Sequence, residues 1–131
     1  VRSAPMFTAA TVGYAANCAL GASVALRLVD TRDVRWVHHA LYVATFSLVV
    51  GAMSSTVWGS PRRASRAAAA LLAPAAVPLT LIPYAGTHTR RHPLVALTAA
   101  PFFIAALVRS NLPDRTMAAT RNTGTTRTTR K

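Results

Sequence analysis

Between Met6 and Val108 almost every residue is apolar or small, and the run is broken only by short hinges that carry arginine. Pieces of this length, about 20 residues each, cross the ~30 Å hydrocarbon core of a bilayer as helices. The pattern predicts an all-α integral membrane protein. Its expected architecture is a four-helix bundle of four transmembrane helices, up-down-up-down, with a disordered basic C-terminal tail.

Composition points the same way, because a chain that is 52% hydrophobic and has only three acids cannot cover a small water-soluble domain with charge. The net charge of +12 raises nucleic acid as a partner. The basic residues sit in the hinges and the tail, however, where phospholipid headgroups are met first, so lipid is the expected partner and nucleic acid is not. Arginine outnumbers lysine fourteen to one and alanine is abundant, as in proteins of GC-rich bacteria. The lone Cys18 has no second cysteine to pair with. Only Arg2 precedes the first apolar segment, which is too long for a cleaved leader, so a retained span is expected.

The transmembrane domain is expected over residues 1–109, with spans near 6–29, 35–59, 67–86 and 93–108, and the tail over 110–131. Pro5 and the run Asp30, Thr31, Arg32, Asp33 bound the first span. Trp36 and Tyr42 lie near one end of the second and Trp58 at the other, where amphipathic rings settle at the interface. Pro74, Pro78 and Pro83 predict a kinked third span. The fourth is short and relies on Arg109 and His92 as interface anchors. Four crossings put both termini on one side. That side carries Arg2, Arg62, Arg63, Arg66, Arg109 and Arg115 plus the tail, against Arg27, Arg32, Arg35, Arg90 and Arg91 opposite. The excess predicts a bacterial inner-membrane protein with both termini cytoplasmic.

Small residues recur at every fourth position on the first span, in Ala9, Gly13, Asn17, Gly21 and Ala25, and on the second in Ser47, Gly51, Ser55 and Gly59. Such rows let backbones approach closely in lipid, where packing and interhelical hydrogen bonds drive association. Aligned as an antiparallel hairpin, Gly13 lies opposite Gly51, Ala9 opposite Ser55 and Asn17 opposite Ser47. A hydrogen bond is expected between Asn17 and Ser47.

All four histidines fall at one membrane face, His38 and His39 opening the second span and His88 and His92 preceding the fourth. Stepping by fours from Ser47 puts His39 on the inward ridge and His38 away from it. His39, His88 and His92 are therefore the candidate ligands for a transition metal or a haem, although interfacial histidine is an ordinary residue and no cofactor is required by the pattern. The arginines Arg62, Arg63 and Arg66 are candidate contacts for lipid headgroups, and topological determinants in any case.

No Asp, Glu or Lys lies within a span, which disfavours proton- or cation-coupled transport. Ser54 and Ser55 lie at the wrong depth to meet the histidines, so no nucleophile and base come together. The expected role is that of a non-enzymatic accessory or scaffolding subunit that meets other membrane subunits or further copies of itself. The alternatives are a metal- or haem-binding membrane protein and a small-solute transporter subunit built around the prolines of the third span.

Overall fold

The computed structural model describes residues 1–28, 35–84 and 91–112, and among them the chain is helical with no strand. The helices are α1 (Ala4–Ala25), α2 (Arg35–Trp58), α3 (Arg62–Leu72), α4 (Ala76–Leu81), α5 (Arg91–Thr98) and α6 (Ala100–Asn111). A 3-10 turn, Ala73–Ala75, joins α3 to α4, and a second, Ile82–Tyr84, follows α4. They make four rods that close a ring: α1 packs on α2, α2 on α3, α3 on α6 and α6 on α1.

Three stretches, Trp36–Trp58, Arg62–Leu81 and Pro93–Asn111, are long and apolar enough to cross a membrane. α1 has the length, at 22 residues, but Tyr14, Asn17 and its threonines keep it less apolar than those three. The residues expected to form the tail lie outside the described residues from 113 onward, and so do the hinges 29–34 and 85–90.

Element ends follow from local chemistry. α1 opens with Pro5 in its first turn, where a missing N–H costs nothing. It stops at Ala25, short of the expected 29, because Arg27 takes a left-handed conformation with φ 58°. There the Leu28 N–H donates to Ser23 O and the Arg27 N–H to Val24 O, the paired bonds that satisfy the last carbonyls of a helix. The third rod starts at Arg62, five residues before the expected 67, since arginine and alanine are good helix formers and extended Pro61 supplies a clean start. The hinge arginines thus belong to the helix. Pro74 is taken up by the 3-10 turn, so the rod runs on to Leu81. The fourth rod breaks at Ala99, two residues before Pro101, and reaches Asn111, which gives it 19 residues from Pro93 and removes the shortfall in length.

The core is mostly alanine. Phe7, Leu72 and Phe103 are its large fully buried apolar side chains, surrounded by Ala10, Ala52, Ala68, Ala69, Ala75, Ala99 and Ala106. Small residues at these positions bring the rods together, and Tyr14 stacks on Phe103 with ring centroids 4.3 Å apart.

Candidate functional site

The features with defined chemistry in this bundle are its polar contacts between helices. In the α1–α2 seam, Asn17 Nδ2 lies 2.6 Å from Thr45 Oγ1 and 3.1 Å from Leu41 O, and Thr45 Oγ1 itself donates to Leu41 O at 2.8 Å. Gly13 makes room for this: a methyl group there would sit 2.9 Å from Thr45 Oγ1. Asn17 therefore pairs with a hydroxyl of α2 as expected in kind, but with Thr45 and not Ser47. Ser47 is exposed and its hydroxyl returns to Val43 O.

The physical reason is angular. A step of four residues overshoots one helical turn by about 40°, so a row of fours spirals off any straight contact face. The inward face of α2 instead mixes steps of three and four through Thr45, Val49, Ala52 and Ser55, and continues to Gly59 just past its end, all buried. The same drift reverses the histidines, for His39 is exposed and His38, two turns before Thr45, is half-buried. Of the other packing candidates, Gly51 faces only the tip of Met6, Gly21 faces open space, and Ser55 is fully buried with its hydroxyl on Ala52 O.

Two tyrosines act as donors across the bundle, a role the sequence reading missed. Pro83 has no N–H to give Leu79 O, four residues earlier, and the Tyr42 hydroxyl donates to that carbonyl from α2 at 2.9 Å. Beside the break at Ala99, the Tyr14 hydroxyl donates to Ala96 O at 2.7 Å as a second donor, since that carbonyl also accepts the Ala99 N–H at 3.2 Å. In hydrocarbon no water can take a carbonyl left as Leu79 O is, so a neighbouring helix must. Replacing Tyr42 with Phe removes the donor while keeping the ring. We expect it to lower stability in detergent by about 1–2 kcal/mol, with Tyr84→Phe, whose ring is exposed, as an unchanged control.

The bundle end that holds the first residues is tied by serines. Ser3 and Ser65, both buried, share a hydrogen bond of 2.7 Å, and the Ser60 N–H donates to Val1 O at 2.9 Å. Gly59 packs directly against this cluster. Nearby, Arg62, Arg63 and Arg66 are all exposed on the first turns of α3.

The proposed ligand set is only partly visible. His39 lies on the first turns of α2, His88 is outside the described residues, and of His92 only its place in the backbone of α5 is described. Among the described residues no three of His, Cys, Asp or Glu come together as a metal site. Cys18 is half-buried against the core. Compared with protein-family models, curated proteins and solved structures, the chain matches none.

Proposed function

We propose that this chain is a small multi-pass protein of a bacterial inner membrane, crossing it four times with both termini in the cytoplasm, and that it serves as a non-enzymatic accessory or scaffolding subunit. The observation that carries this reading is the inverted distribution of side chains. Val12, Val77, Ile104 and Leu97 are each about 60% exposed, while Thr45, Ser55 and Ser65 are buried within the bundle. Only 22% of the apolar window in Trp36–Trp58 and 17% of that in Pro93–Asn111 is buried. Apolar faces of that extent need lipid or another membrane helix over them.

α1 joins as a fourth crossing because its polar groups are satisfied within the bundle: Asn17 on Thr45 and Tyr14 on Ala96 O. The orientation rests on the arginines, with Arg2, Arg62, Arg63, Arg66 and Arg109 at the end where the chain enters α1 and leaves α6. The scaffolding role is supported by polar side chains that serve to hold helices together.

Membranes solubilised in a mild detergent and resolved under native conditions test the role. The expected result is migration in an assembly well above the 13.9 kDa of one chain with its micelle. That assembly holds either other membrane subunits or further copies. A single chain in its micelle, after crosslinking in intact membranes as well, would contradict it.

A further inference from the structure

We propose that the start of α3 is a binding site for the phosphate of an anionic phospholipid, held by Arg62, Arg63 and Arg66. The inference rests on the membrane reading above and adds a ligand to it. The three arginines occupy five consecutive residues of one helix, within an arc of about 100° that lies outside, and at Arg62 borders, the arc of buried Ala64, Ser65, Ala68 and Ala69. All three are exposed.

No carboxylate is among the described residues, because the three acids are Asp30, Asp33 and Asp114. In the chain, Asp30 and Asp33 fall between α1 and α2, and Asp114 follows α6. Arginine at the start of a helix also opposes the helix dipole, a cost that an external anion removes.

The surroundings select the source of that anion. Arg62 begins the membrane-length rod Arg62–Leu81, which places the cluster at headgroup depth. Directly before it in the chain, Val57 is 75% exposed and Trp58 is 42% exposed at the end of α2. Guanidinium forks above an aromatic and aliphatic collar match a phosphate joined to acyl chains, and match a free anion or a nucleic acid less well.

The test uses the full-length protein in vesicles of phosphatidylcholine with or without phosphatidylglycerol, extracted gently and read by native mass spectrometry for retained lipid. Phosphatidylglycerol is expected to stay bound in preference to phosphatidylcholine. The triple variant R62Q/R63Q/R66Q should weaken that retention by about 100-fold at low salt. A variant with the same charge loss in the tail, R121Q/R127Q/R130Q, should retain it. Equal retention of both lipids by the unaltered protein would overturn the site. So would equal loss in both variants, which marks general charge attraction, or release by millimolar inorganic phosphate, which marks a free-anion site. Failure to float with pure phosphatidylcholine vesicles would instead sink the membrane reading itself.

Discussion

Changing Gly59 to Ala is expected to destabilise the bundle by about 2–3 kcal/mol, visible as a lower melting temperature in detergent and a larger aggregated fraction. The added methyl would lie 2.5 Å from Ser55 O, 2.5 Å from Ser65 Oγ and 3.0 Å from Ser65 Cβ. Neither neighbour has room to yield. Ser55 O accepts the Gly59 N–H at 2.7 Å, and Ser65 is fully buried and hydrogen-bonded to Ser3. The methyl therefore pushes α2 from α3 and strains the tie to the first residues. Adding Ser65→Ala removes one of the two 2.5 Å obstacles, so the double variant should be less destabilised than the sum of the two single changes. Strict additivity would show that the two residues do not meet.

The second large effect separates two glycines that look alike in sequence. Gly13→Leu is expected to cost about 3 kcal/mol, because even its first carbon displaces Thr45 Oγ1 and with it the Asn17 hydrogen bond. Gly51→Ala should be nearly neutral, since the atom it meets is Met6 Cε, the free end of a flexible side chain, and alanine favours the helix. Thermal unfolding of both variants in one detergent decides between them. Equal losses would mean that the seam does not have the register described.

That contrast marks where the sequence was legible. Long apolar runs, terminal tryptophans and polar hinges announced helices, and α2 (Arg35–Trp58) falls within a residue of its expected bounds at 35–59. The arginines of 62–66 misled the boundary of α3, because charge suggested a loop where helix propensity prevailed. The inward face of α2 was misjudged by a fixed stride of four, which put Ser47 and His39 inside and overlooked Thr45. Tyr42 carried half a signal: Pro83 shows that a carbonyl is freed, but which hydroxyl reaches it is settled only by how the helices pack, and the Tyr14 bond to Ala96 O had no such signal. The Ser3–Ser65 bond, 62 residues apart in the chain, had no sequence signature.

The central physical claim is that lipid is the medium facing Val12, Val50, Val77, Ile104 and their neighbours. Its most direct measurement is the distribution of the full-length chain after cell membranes are washed with alkaline carbonate and pelleted without detergent. The account predicts that the chain stays in the pellet and is released only by detergent. Recovery of folded, monomeric chain in the supernatant would contradict it.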